Sequence, residues 1–189
     1  MMELKHLNNK KIMNKISGLK IGEKAPEFTT VDIYKKKYLL SNALLKGEVV
    51  LIFIRGQWCP FCNKHLKEIQ ESLPLIYKKG ASVVVVSPEK SEFIKKTVEK
   101  MGAEFTILHD EDHTIAKAYD VLFKPKAVLR IVYNVIMGAQ LKESHSDDSE
   151  QLPVPATFII SKDGKVKWRQ FNTNYMKRSQ VSDILQNLT

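Results

Sequence analysis

The chain has 189 residues, 43% of them hydrophobic, and carries a formal net charge of +9 from 30 lysines and arginines against 21 acidic residues. That length sustains one sizeable core and falls short of two catalytic domains, so a single domain over 21–189 preceded by an N-terminal extension over 1–20 is expected. The lysines are scattered, at Lys35 to Lys37, Lys95 and Lys96, and Lys124 to Lys126, without aromatic interleaving, which argues against a nucleic-acid partner. No run of about eighteen apolar residues offers a membrane helix, and the first twenty residues lack the apolar stretch of an export signal. A cytoplasmic protein with no membrane partner is the expectation.

In chain order, Leu4, Leu7, Met13 and Ile16 suggest a short amphipathic helix, followed by a break from Gly22 to Pro26. Phe28 to Ile33 reads as a strand turning, through the lysine run, into a second near Tyr38 to Leu40, with Ser41 capping a short helix. Val49 to Ile54 is a continuous apolar run of strand length, as in a strand covered on both faces, and Ser82 to Val86 repeats it. Between them Leu66, Ile69, Leu73 and Ile76 mark one face of a helix from Pro60 to Lys79, with a kink expected at Pro74. Strand, helix, strand is a parallel crossover unit.

A helix from Ser91 to Met101, a strand from Phe105 to Leu108 and a helix capped by Asp112 come next. Beyond Pro125, Val128, Ile131, Val132, Val135 and Ile136 share one helical face, for which core packing is expected over a partner surface. Glu143 to Gln151 reads as a mobile polar loop. Ala156 to Ile160 and Val166 to Phe171 flank an Asp163-Gly164 turn, a hairpin signal. The whole is an α/β arrangement: a mixed, mostly parallel sheet with helices on both faces and an antiparallel C-terminal edge hairpin.

The chemistry concentrates in Trp58-Cys59-Pro60-Phe61-Cys62. Cys59 falls where a strand-end turn becomes a helix, with Pro60 in the first helical position that suits proline. Unpaired N–H groups and the positive end of the helix dipole favour thiolate there, making Cys59 the expected nucleophile. Cys62 returns to the same face one turn later as the expected resolving thiol. Arg55 is a candidate source of positive charge, and Trp58 and Phe61 candidate shields or docking residues. A structural disulfide is disfavoured in a reducing compartment. A zinc site on the cysteines would need two further ligands; among five histidines only His109 and His113 form a helix-compatible pair, read as surface residues, so no metal and no cofactor are expected.

With these residues in view the chain resembles the thioredoxin superfamily, and within it the peroxiredoxin-like branch of the alkyl hydroperoxide reductase and thiol-specific antioxidant (AhpC/TSA) family. The resemblance rests on Ile21 to Phe28 (IGEKAPEF), Phe53 to Cys62 (FIRGQWCPFC) and Leu152 to Phe158 (LPVPATF) before a Lys-Asp-Gly hairpin. It implies a thioredoxin-like fold and makes Pro155 a cis-proline facing the two thiols, with Pro153 trans, where a substrate backbone would bind. The proline and the threonine or serine that peroxiredoxins carry seven and three residues before the reactive cysteine are here Ile52 and Gly56, and the arginine expected before the Thr157-Phe158 strand is replaced by Pro155-Ala156. WCPFC itself resembles the dithiol centre of thioredoxin-like reductases.

The resulting expectation is a CxxC enzyme that reduces hydroperoxides with electrons from thioredoxin or a similar dithiol. The alternative is thiol-disulfide exchange with protein substrates by the same residues. A reading of another class is a non-catalytic redox sensor or zinc-binding module.

Overall fold

The computed structural model describes residues 16–189, and the N-terminal helix expected around Leu4, Leu7 and Met13 lies outside the described residues. Arg169 fastens the beginning of the described chain by donating to the carbonyls of Ser17, Gly18 and Leu19. Strands β1 (Thr29–Val31) and β2 (Lys37–Leu39) form the expected small antiparallel hairpin, leading into helix α1 (Leu40–Leu44). Ser41 lies inside α1 and makes no cap; the position before the helix is Leu39.

The rest of the chain builds a five-stranded sheet: β3 (Val49–Phe53), β4 (Ser82–Ser87), β5 (Thr106–His109), β8 (Ala156–Ile160) and β9 (Val166–Phe171), in the order β5-β4-β3-β8-β9. The β3-β4 and β4-β5 pairs are parallel, whereas β3-β8 and β8-β9 are antiparallel. The mixed sheet and the C-terminal edge hairpin therefore match the sequence reading. Between β5 and β8 a two-residue strand β6 (Leu122–Phe123) pairs with β7 (Leu152–Pro153).

Every residue of β3 is buried, because both faces of the sheet are covered. Val50 and Ile52 pack in a cluster with Leu66, Ile69, Leu73 and Ile76 of helix α2 (Pro60–Lys78). On this face lie also α3 (Ser91–Met101) and α7 (Val181–Asn187), through Ile94, Val98 and Ile184. Val49, Leu51 and Phe53 point the other way, into a second cluster with Leu40 of α1 and Ile115 of helix α4 (Thr114–Ala118). Alternate residues of one strand thus serve two cores. Each fully buried aliphatic side chain stabilises the fold by roughly 1.5–3 kcal/mol.

Helix α2 runs unbroken through Pro74. The cap of α4 is supplied by Asp110, whose two carboxylate oxygens accept the N–H groups of Ile115 and Ala116 at 2.8 Å each, and not by Asp112 as expected. Asp112 and His113 instead take left-handed backbone conformations, with φ of 54° and 57°.

Two expectations about the region after Pro125 are overturned. Helix α5 (Ala127–Ile131) passes directly into a π-helical turn over Val132–Ile136, closed by Met137 N–H donating to the Val132 carbonyl, five residues back. Tyr133 is buried while the apolar face lies outside: Val128, Ile131, Val135 and Ile136 are 56%, 62%, 76% and 76% exposed. The polar stretch after it is not free in solvent. It starts within helix α6 (Leu141–Ser144), buries Ser144 and His145, and pairs His145 with Glu89 in an isolated antiparallel bridge.

Candidate active site

The parallel strands β3 and β4 end at the same edge, and chemistry in open α/β sheets collects at such carboxyl ends. From β3 the chain turns through Arg55, Gly56 and Gln57, and Cys59 takes the N-cap position of α2 with Pro60 in its first turn. Gly56 has φ of 142°, and a β-carbon there would stand 2.5 Å from Trp58 Nε1 and 2.7 Å from a Glu89 carboxylate oxygen. Only glycine fits, which explains why the threonine or serine of the peroxiredoxin pattern is absent.

The Cys59 carbonyl accepts the N–H groups of Cys62 and Asn63, starting the helix, and both cysteines are reduced and 0% exposed. The Cys62 thiol donates to Cys59, and together with Arg55 and Arg178 nearby this outweighs burial and brings the Cys59 thiol down to about 6. Burial in turn pushes the Cys62 thiol well above the ordinary range, reinforced by its hydrogen bond to Cys59. One thiol is therefore set up as thiolate at neutral pH and the other as its proton-bearing partner.

Arg55 is buried, with its guanidinium carbon 4.7 Å from the Trp58 ring centroid, 4.3 Å from that of Tyr133 and 4.8 Å from that of Tyr175. Its Nε and one terminal nitrogen have no hydrogen-bond partner among the described residues. A desolvated cation held by three aromatic faces and paired with no carboxylate among the described residues favours an anion close by, which is the charge Cys59 acquires.

Arg178 comes from the loop between β9 and α7 and donates to Cys62 Sγ at 3.6 Å. The loop is anchored one residue further on, where Ser179 Oγ bonds His65 Nε2 at 3.0 Å and Thr157 Oγ1 at 2.9 Å. His65 lies three residues after Cys62 on the same face of α2; burial, and then Arg178, lower its pKa to about 4, so the ring is neutral. Tyr175 of this loop meets Phe61 edge-on at 5.8 Å, beside the Arg55 guanidinium that it also faces.

Glu89, just past β4, is fully buried and accepts the Gln57 N–H at 2.7 Å. Burial raises its carboxyl to about 8, with the neighbouring Cys62 adding to the effect. Pro155 precedes β8 and lines one cleft with His65, Arg178 and Ser179. Its peptide bond is trans, as are all peptide bonds among the described residues, so the expected cis geometry at Pro155 is not present. Trans is the lower-energy form of an X-Pro bond.

Of the expected site residues, Cys59, Cys62, Trp58 and Arg55 come together, and Pro155 borders them. Sequence reasoning missed Arg178, Tyr133, Tyr175, His65 and Glu89. His65 was findable from its helical spacing to Cys62, and Glu89 from its place at the end of a parallel strand. Nothing local marks Arg178, which lies 116 positions from its sulfur partner.

Comparison with known proteins agrees with this geometry. A family model described as the AhpC/TSA family matches residues 21–169. The chain belongs to this family. Among curated relatives, a thiol-disulfide oxidoreductase ResA of Bacillus cereus is 25% identical over 154 residues, covering 81% of this chain and 70% of the relative. A Mycobacterium tuberculosis protein assigned to the peroxiredoxins is 26% identical over 161 residues, 85% of this chain and 90% of the relative. The fold is similar to that of the peroxidoxin BcpB from Mycobacterium tuberculosis, with a TM-score of 0.70 and 20% identity over 90% of this chain and 96% of that one. It is equally similar to a cysteine-to-serine mutant of PrxQ from Xylella fastidiosa, with a TM-score of 0.70 and 18% identity over 91% of this chain and 96% of that one. This AhpC/TSA member is an enzyme, a thiol-based oxidoreductase of the peroxidase or the thiol-disulfide exchange kind. No helix among the described residues is long and apolar enough to cross a membrane.

Proposed function

We propose that the protein reduces hydroperoxides in the cytoplasm, with Cys59 as nucleophile, Cys62 as resolving thiol, and thioredoxin or a similar dithiol as electron donor. The observation that carries this reading is the Cys59 sulfur at the start of α2, drawn toward thiolate by the Cys62 thiol, Arg55 and Arg178. Thiolate sulfur attacks the terminal peroxide oxygen, the O–O bond breaks, and the alkoxide leaves as alcohol after taking a proton, giving Cys59 sulfenic acid. Cys62 then attacks that sulfur, water departs, and an intramolecular disulfide results. An external dithiol exchanges with it, so two electrons enter and the pair is reduced again.

In this reading Arg55 and Arg178 hold the thiolate and meet the negative charge developing on the leaving oxygen. They take the part of the arginine that the sequence lacks before Thr157. Glu89 stays largely protonated at neutral pH and so places no second negative charge beside the dithiol. Trp58 closes one side of the cage around Arg55, and Pro155 packs beside His65, Arg178 and Ser179, next to the loop that reaches Cys62.

Stopped-flow mixing of reduced protein with hydrogen peroxide, following tryptophan fluorescence and thiol count, tests the proposal. Loss of both thiols far faster than for free cysteine supports it. Slow loss beside rapid exchange with a disulfide substrate replaces it with the second reading, thiol-disulfide exchange, which Ile52 and Gly56 at the peroxiredoxin positions and the similarity to ResA favour.

A further inference from the structure

A second group of side chains with chemistry of its own lies on the far side of Glu89 from the thiols. His113 and His145 are 2% and 1% exposed, and their rings meet edge to face at 5.3 Å. Asp147 joins them, with one carboxylate oxygen 3.3 Å from His113 Nε2. One donor atom from each of the three lies within 4.8 Å of the others. Sequence reasoning placed His113 on the surface; it is buried because the left-handed turn at Asp112 and His113 swings the ring inward.

The hydrogen bonding within this group is incomplete. Among the described residues, His113 Nδ1 and both ring nitrogens of His145 are buried without a partner. A buried imidazole with neither nitrogen engaged bears the desolvation cost of both, so native structures seldom tolerate one without an ion or water to satisfy it. The neighbours do not relieve it. His109 Nε2 is engaged by the Ser146 hydroxyl at 3.0 Å, and Asp110 is occupied in capping α4.

We propose that His113, His145 and Asp147 bind a divalent transition-metal ion of the zinc class. Two imidazoles and a carboxylate form a donor set for such an ion, with a water in the fourth position. Bonds of 2.0–2.1 Å in a tetrahedron set neighbouring ligands roughly 3.3 Å apart, the separation already present between His113 and Asp147. The carboxylate is steadied from behind, since Asp147 Oδ1 also accepts the Ser149 N–H and hydroxyl. The ion would clasp the segment carrying His145 and Asp147 to the end of β5. Through the bridge between His145 and Glu89 it would brace the wall of the dithiol site. The site uses neither cysteine and is independent of the peroxidase reading.

The test uses untagged full-length protein, stripped with chelator and kept reduced, titrated with cobalt(II) and then zinc(II). The expected result is one equivalent of cobalt, visible by ligand-field absorption of tetrahedral intensity without a thiolate charge-transfer band, displaced by zinc and retained in the Cys59→Ser/Cys62→Ser double variant. Asp147→Asn should weaken binding by about 100-fold or more, and His145→Gln should abolish it. Absence of binding at millimolar cobalt, loss of binding in the cysteine variant, or unchanged binding in Asp147→Asn overturns the proposal. Should His145→Gln fail to fold, melting temperature decides. A zinc-dependent rise in the cysteine-free protein that disappears in Asp147→Asn supports the site, and one that persists refutes it.

Discussion

Arg178 Nη2 donates to Cys62 Sγ at 3.6 Å, joining a C-terminal loop to the first turn of α2. The contact brings a second guanidinium to a dithiol that already has Arg55 beside it. The Cys59 thiolate is thus a property of three separate stretches of chain, and each can be removed separately.

Alkylation of reduced protein by iodoacetamide should follow pH with a midpoint near 6 for Cys59, not the ordinary value near 8.5. Thiolate grows as pH rises through the pKa, so variants that raise it slow the reaction most at low pH and converge above about pH 10. Cys62→Ala should shift the midpoint most, Arg55→Met less and Arg178→Met least, in the order of their influence on Cys59. A shift of about one unit for Arg55→Met corresponds to roughly a fivefold to tenfold slower reaction at pH 6. Equal midpoints in all four proteins would remove the electrostatic account.

Glu89→Gln should stabilise the protein at neutral pH. The folded carboxyl holds its proton up to about 8, whereas in the unfolded chain it releases it near 4.5. The folded state therefore binds more protons in that window, and wild-type stability falls as pH rises through it. The variant lacks this fall, and glutamine still offers an oxygen to the Gln57 N–H. Urea unfolding at pH 5, 6.5 and 8 should give a difference that widens with pH, by at most about 1.4 kcal/mol per unit. A difference constant across pH would show that Glu89 ionises normally.

Gly56→Ala should be costly. A β-carbon would collide with the Trp58 ring nitrogen and the Glu89 carboxylate, at a backbone angle that L-residues avoid. A loss of about 2 kcal/mol or more in denaturant unfolding is expected, with slower Cys59 alkylation as Trp58 and Glu89 are displaced. Alanine at full stability would mean that this turn relaxes freely.

Tyr175→Ala should open the dithiol. Tyr175 packs against Phe61, which sits between the two cysteines in sequence, and both cysteines are 0% exposed. Reaction with a bulky aromatic disulfide reagent should accelerate by about tenfold, while reaction with hydrogen peroxide changes little. Equal acceleration for both reagents would indicate general loosening of the fold.

Much of the sheet could be read from residue order, because Val49 to Ile54 and Ser82 to Val86 are apolar without interruption and Asp163-Gly164 marks the hairpin. Cys59 and Cys62 were legible for a similar reason: their chemistry depends on local position at a helix start. The Val128 to Ile136 face misled, because periodicity shows which residues share a face but not which way that face points, and here Val128, Ile131, Val135 and Ile136 are exposed together. His113 misled because a left-handed conformation at a non-glycine residue has no reliable sequence signature. Glu89 had only its place at the end of a parallel strand to mark it, and Arg178 reaches the site from a distant loop that leaves no local trace.

The loop that ends in Arg178 and Ser179 carries Tyr175 as well, so one segment both sets a ring against Arg55 and Phe61 and places a guanidinium on Cys62. Any change that displaced this loop would disturb the aromatic cage of Arg55 and the charge beside Cys62 together. The acidity of the sulfurs is thereby tied to the seating of a segment 116 positions away in the chain.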